Sequence, residues 1–175
     1  MSRAKKIARR RLKKMKKQIT PVPACVLEST LEATEPKDFL FSWPIRRDSY
    51  YISCRFGPRN MRGVGWKFHT GLDMAACKGT PVMAAAAGIV IASEWQNGYG
   101  NCIMIAHNKK YKTRYAHLNR RFVKVGQKVA RGAVIGEVGD TGFVRSKRGR
   151  AGDASHLHFE VLSFGKYINP LFMLT

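Results

Sequence analysis

His156-Leu157-His158-Phe159-Glu160-Val161 alternates polar and apolar residues without a break. A period of two is that of a β-strand with one face in a core. Leu157, Phe159 and Val161 then form the core face, and His156, His158 and Glu160 share the other. Histidines two apart on a strand have Cα atoms about 6.6 Å apart, at roughly 3.3 Å per residue. Both rings can lean toward one small centre, such as a metal ion and its water. Taken alone, the stretch is equally a half-buried strand with two solvated histidines.

Working outward, the same period recurs in short pieces. Strands are expected at residues 50–56, 66–73, 101–106, 112–117, 122–126 and 133–139, with residues 81–93 forming two strands around a turn at Gly88. Asn108-Lys109-Lys110 reads as a hairpin turn. Glycine turns are frequent and a helical period is almost absent. The expected fold class is all-β or β-dominated, built on an antiparallel sheet or sandwich.

The chain has 175 residues, enough for one domain and a tail. Its formal net charge is +21. Ten basic residues and no acid fall within positions 1–17, and taking those ten from 32 leaves 22 basic residues against 11 acidic ones. Tail and body are both basic, which suits a polyanionic partner or surface. The expected organisation is a basic tail over 1–19, a linker over 20–42 broken by Pro21, Pro23 and Pro36, and a folded domain over 43–175. Ile7, Leu12, Met15 and Ile19 make a loose helical stripe in the tail. The tail reads either as a segment that clings to anionic lipid, lipopolysaccharide or nucleic acid, or as a solvated, unstructured end; its composition favours the second. It resembles the charged start of a signal peptide, but the two prolines after Ile19 leave no legible apolar centre. No apolar run approaches the about 18 residues of a membrane span. Cys25, Cys54, Cys77 and Cys102 have no Cys-x-x-Cys spacing, which argues against a structural zinc knuckle, and free thiols are expected.

A second stretch bears on chemistry. His69-Thr70-Gly71-Leu72-Asp73 would separate its two end residues by about 13 Å in an extended strand. Two ligands of one zinc must bring their donor atoms within a few ångströms, so a shared metal requires a bend, and Gly71 permits one. By itself the stretch also reads as a polar turn.

Together, these stretches and six more resemble the M23 family of zinc metallopeptidases, the lysostaphin- or LytM-type peptidoglycan endopeptidases. The others are Phe56-Gly57-Pro58-Arg59, Gly79-Thr80-Pro81-Val82, Gly98-Tyr99-Gly100-Asn101, Tyr115-Ala116-His117-Leu118, Val125-Gly126-Gln127-Lys128-Val129 and Ile135-Gly136-Glu137-Val138-Gly139. Asn169-Pro170 also fits, and the blocks follow one another in the family's order over residues 43–171. The resemblance implies a LytM-like fold, Zn2+ as cofactor, and His69, Asp73 and His158 as its ligands. It gives His117 and His156 the proton-transfer and transition-state roles, without saying which takes which. It implies hydrolysis of peptide cross-links in peptidoglycan, in the cell envelope, by a monomer. Glu160 has two readings, support for a ligand ring or a solvated edge residue. His107 matches no family role and is expected at the surface. Tyr115 shares the face of His117 by parity and is expected to pack.

The sequence departs from the family before His156, where Ala154-Ser155 replaces a glycine-led pair, and in the basic loop at 147–150. Two other function classes bear weighing. One is a catalytically silent M23-like module that regulates a cell-wall hydrolase; retention of all five key side chains argues against it. The other is a polyanion- or nucleic-acid-binding protein acting through its tail. No nucleic-acid motif is present and no aromatic residues interleave with the basic ones, so no specific nucleic acid is expected. Anionic envelope polymers or lipid are the expected partners of the tail. The illegible export signal leaves a phage-type lysin, an atypical export route or a misplaced start as explanations.

Overall fold

In the computed structural model the structure describes residues 40–61, 63–144 and 154–175. The tail over 1–19, most of the linker, Cys25 and the basic loop over 145–152 lie outside the described residues. Twelve strands are described: β1 (Tyr51–Cys54), β2 (Gly57–Met61), β3 (Gly65–His69), β4 (Leu72–Ala75), β5 (Pro81–Met83), β6 (Gly88–Gln96), β7 (Gly100–Ala106), β8 (Tyr111–Arg121), β9 (Lys128–Val129), β10 (Val134–Val138), β11 (His156–Ser163) and β12 (Lys166–Ile168). A 3₁₀ turn at Pro170–Phe172 follows, with Asn169 capping it through Oδ1.

The main sheet runs β1-β4-β11-β8-β7-β6-β9, and β10 links β8 to β5 while β12 pairs with β11. The hairpin β2–β3 stands as a separate two-stranded sheet. Every ladder between these strands is antiparallel. β11 lies in the middle, hydrogen-bonded to β4 on one side and β8 on the other. Its alternation is realised: Leu157, Phe159 and Val161 are fully buried with Leu72 and Met74 of β4 and Tyr115 and Leu118 of β8. Phe41, at the end of the stretch read as linker, is also fully buried, and its amide donates to Met173 O at 2.8 Å.

Local turn chemistry explains two of the joints. Asn108 Oδ1 accepts from the amides of Lys110 and Tyr111 at 3.0 and 2.6 Å, which closes the β7–β8 hairpin where a turn is expected. Residues 122–126 form no strand, despite their β-branched content. Gln127 N–H donates to Lys124 O at 3.1 Å and Gly126 adopts φ 86°, so the segment turns instead of pairing.

Residues 66–73 are not one strand either. The chain breaks at Thr70-Gly71 and passes from β3 to β4, which belong to different sheets. Gly71 is needed there for space: its φ lies outside the left-handed region. A Cβ at Gly71 would sit 2.6 Å from Phe159 O and 2.8 Å from His158 Cε1. The glycine lets β11 and the His158 ring press against the break.

Candidate metal centre and active site

Sheet register assembles the site. Asp73 on β4 pairs with His158 on β11, and His158 pairs with Ala116 on β8. Directly opposed residues project to the same face. His69, the last residue of β3, arrives from the separate hairpin. Its Nε2 lies 3.0 Å from Asp73 Oδ1 and 3.1 Å from His158 Nδ1, and His158 Nδ1 lies 2.7 Å from Asp73 Oδ1. Two imidazole nitrogens and a carboxylate oxygen thus converge on one point, in buried surroundings.

That donor set fits a zinc ion. Bonds of ~2.0–2.2 Å hold tetrahedral donors roughly 3.3–3.6 Å apart, so a widening of roughly 0.2–0.9 Å between these pairs admits one. The ring orientations fit as well. Nδ1–H of His69 donates to Arg55 O at 2.8 Å, which leaves the Nε2 lone pair aimed at the centre. Nε2–H of His158 donates to Glu160 Oε1 at 3.1 Å, which aims Nδ1 inward.

With no metal bound, the same contacts set the charges. Burial disfavours the Asp73 carboxylate, but its contacts with His158 and His69 outweigh it and hold the carboxyl well below its usual range. Burial likewise favours a neutral His158, yet Asp73 and Glu160 on either side raise its pKa to about 9.

Glu160 supports the ring; it is no solvated edge residue, being 0% exposed. Besides His158, its Oε1 accepts from Thr70 Oγ1 at 2.6 Å and Tyr99 OH at 3.1 Å. Its Oε2 pairs with Arg114 Nη1 at 2.8 Å, across the β11–β8 register that opposes the two residues. The Arg114 guanidinium also lies over the Tyr99 ring, 4.5 Å from its centroid. Tyr99, Arg114 and Thr70 carry no sequence signal of this role, because only the register brings them to Glu160.

His117 reaches the site through a bulge. Asn101 pairs with Leu118 and Ile103 with Tyr115, so two β8 residues stand opposite Cys102 alone. His117 takes φ 61°, in the left-handed region, and its ring turns to the face of His158. Simple parity therefore fails here. Tyr115 does not share that face: it is fully buried in the core, with its hydroxyl accepting from Ala85 N–H at 2.8 Å. Nδ1–H of His117 donates to Thr141 O at 2.8 Å. Thr141 is itself packed on Gly100, where a Cβ would come within 2.4 Å of it.

His156 is the neighbour of His117, with ring centroids 4.7 Å apart. Its Nδ1–H donates to Ala154 O at 2.9 Å, and its Nε2 lies 3.9 Å from Asp73 Oδ1. Both rings are thus tethered by Nδ1 to backbone carbonyls. Burial, reinforced by His156, lowers the pKa of His117 to about 4 and keeps it neutral.

His107 lies apart from this cluster and is not at the surface. It is 8% exposed, its Nδ1–H donates to Ala87 O at 2.8 Å, and its Nε2 meets Thr113 Oγ1 at 2.8 Å. The Phe41 ring packs edge-on against it, 5.2 Å between centroids, beside the Ala87 and Thr113 contacts. Cys54, Cys77 and Cys102 carry free thiols. The Cys54 thiol, at the end of β1, lies within 4.8 Å of the donor atoms of His69 and Asp73, a proximity that the sequence reading did not anticipate.

Residues 67–170, more than half of the chain, match Peptidase family M23. The peptidoglycan DD-endopeptidase ShyC of Vibrio cholerae is 40% identical over 121 residues, which cover 68% of this chain and 26% of ShyC. The DD-carboxypeptidase/endopeptidase Mpg of Neisseria meningitidis is 42% identical over 122 residues, covering 69% of this chain and 26% of Mpg. The chain thus spans about a quarter of the length of these curated relatives. Among solved structures, a zinc-containing peptidase from Vibrio cholerae superposes with a TM-score of 0.66 at 35% identity, covering 77% of this chain and 40% of that one. The catalytic domain of lysostaphin from Staphylococcus simulans gives a TM-score of 0.59 at 31% identity, covering 70% of this chain and 90% of the domain. The antiparallel β fold matches these neighbours, and the chain belongs to peptidase family M23.

Proposed function

We propose that this chain is a zinc-dependent endopeptidase that hydrolyses the peptide cross-links of bacterial peptidoglycan. The observation that carries the reading is the convergence of His69 Nε2, Asp73 Oδ1 and His158 Nδ1 within 3.1 Å of one another. Three protein donors with a fourth position left for water is the pattern of a catalytic zinc site. The endopeptidase relatives and the zinc-containing structural neighbour support the same reading.

In this reading His69, Asp73 and His158 hold the ion. When bound, zinc supplies Lewis-acid activation of a water and of the scissile carbonyl. Arg55 O and Glu160 fix the tautomers of the two ligand rings. His117 and His156 flank the centre with Nε2 free for substrate, because Nδ1 of each is engaged by a carbonyl. Between them they carry the proton from the attacking water to the leaving amine and stabilise the oxyanion. Burial keeps His117 neutral at physiological pH, so its Nε2 lone pair is available to the substrate. The basic surplus steers the protein toward anionic envelope polymers or lipid, by way of the tail as well as the body. The workplace is the cell envelope and the working form is a monomer. No observation favours the silent-module reading, since all five side chains meet in the site.

The test is zinc content and muropeptide release measured on one purified sample, wild type beside His158→Ala. About one zinc per chain with cross-links cleaved, and both lost in the variant, is the expected result. Zinc bound without cleavage would turn the reading to a latent or regulatory module. A folded sample with no zinc, never exposed to chelator, would overturn it.

A further inference from the structure

We propose that Cys54 supplies a thiolate to the same centre, as a fourth protein donor beside His69, Asp73 and His158. The inference rests on the reading of those three residues as the metal site. Three observations of different kinds point to it.

Register comes first. Cys54 on β1 is paired with Asp73 on β4, and Asp73 with His158 on β11. One row across the sheet therefore presents a thiol, a carboxylate and an imidazole in sequence, on strands ~4.8 Å apart. The ladder shifts between Ile52 and Cys54. Such an irregularity re-aims the side chain that follows it.

Distance comes second. Cys54 Sγ and the donor atoms of His69 and Asp73 all lie within 4.8 Å of one another. A zinc–sulfur bond of ~2.3 Å asks for closer donors than that. Ligation therefore requires Cys54 to move by about an ångström at the end of β1.

Charge comes third. Arg59 Nη1 lies 3.1 Å from Cys54 Sγ and 3.5 Å from Asp73 Oδ2. The guanidinium thus bridges the thiol and the carboxylate at the edge of the centre. Cys54 is half-buried, so solvent and small reagents still reach it.

The consequence is a switch in coordination. With Cys54 engaged, the centre has four protein donors and is closed, as in a structural zinc site. With Cys54 withdrawn, the fourth position opens to water, as in a catalytic one. Engagement releases the thiol proton to solvent and withdrawal takes one back, so no oxidant or reductant enters the step.

Cobalt(II) substitution of the full chain under anaerobic conditions reads this directly. Visible d–d bands report the metal centre itself, and a near-ultraviolet thiolate-to-cobalt band reports sulfur ligation. The wild type is expected to develop both. Cys54→Ser should keep the visible bands and lose the near-ultraviolet one, with zinc bound at least about tenfold more weakly in chelator competition. Cys77→Ser should keep both. Visible bands without the sulfur band in the wild type, or a sulfur band that survives in Cys54→Ser, would overturn the assignment while leaving the metal centre standing. Absence of every band in the wild type would overturn both. Alkylation by iodoacetamide, mapped by mass, provides a readout that needs no variant. Zinc should slow labelling of Cys54 at least about tenfold and leave exposed Cys77 unchanged; equal slowing of both, or of neither, would count against ligation.

Discussion

His158 Nε2 and Glu160 Oε1 lie 3.1 Å apart, two residues along the same strand. The contact looks minor beside the converging donors, yet it decides which nitrogen of His158 faces them. Glu160 is in turn held by Thr70, Tyr99 and Arg114, so one buried carboxylate ties β11, β8 and the β3–β4 break to the His158 ring. Replacing it separates orientation from charge. Glu160→Gln keeps the shape but loses the anion, and zinc should bind roughly 10–100-fold more weakly. Glu160→Ala also strands the Arg114 guanidinium, whose side chain is only 12% exposed, and should cost about 3–5 kcal/mol of stability. Chelator competition and urea unfolding measure the two effects on the same samples.

Gly71 and Gly79 offer a controlled comparison. An alanine Cβ at Gly71 would meet Phe159 O at 2.6 Å and the His158 ring at 2.8 Å, whereas at Gly79 it would meet nothing within 4 Å. Gly71→Ala should lose about 1–3 kcal/mol of stability and weaken zinc binding by displacing the ring. Gly79→Ala, strained only by its φ of +89°, should lose about 1 kcal/mol and bind zinc as before. Equal zinc affinity in the two variants would contradict the role given to the Gly71 contact.

His117 and His156 should be separable from metal binding. His117→Asn tolerates the left-handed backbone that position 117 adopts, so the fold should survive. Either His117→Asn or His156→Ala is expected to lower kcat on cross-linked muropeptides by about 10²–10⁴-fold, with zinc still near one per chain. Loss of zinc in both variants would instead make these rings ligands.

His107 should give the fold a measurable acid sensitivity. Burial, opposed by the Ala87 carbonyl, lowers its pKa to about 4 from 6.5. The unfolded chain therefore binds the extra proton first as pH falls. The stability contributed by the neutral ring is complete above pH 6.5 and is lost as pH falls toward 4. Urea unfolding at pH 7 and pH 5 should differ by about 2 kcal/mol more in the wild type than in His107→Gln. An identical pH dependence in the two proteins would show that the ring is charged or exposed in the fold.

Legibility from sequence varied with how local the cause was. The alternation over 156–161 and the Asn108 turn were readable because each depends on neighbours along the chain. Residues 122–126 were misread because β-branched content there competes with a Lys124–Gln127 turn that wins. His107 was misread because the groups that bury it, Ala87 and Thr113, reach it only through the sheet. Tyr115 and His117 were assigned to one face because a regular strand was assumed, and a single bulged residue separates them.

The sequence by itself determined that this chain builds an antiparallel β domain, and it held all five polar side chains of the site in family-like blocks. Period, turn residues and motif spacing are properties of neighbouring positions, so they survive without coordinates. Only the tertiary structure decided that Asp73 stands between Cys54 and His158, that Glu160 meets Arg114, and that Gly71 is required for the space beside His158. Those relations depend on the register between strands far apart in the chain, which is set by packing of the whole sheet rather than by any one stretch of it.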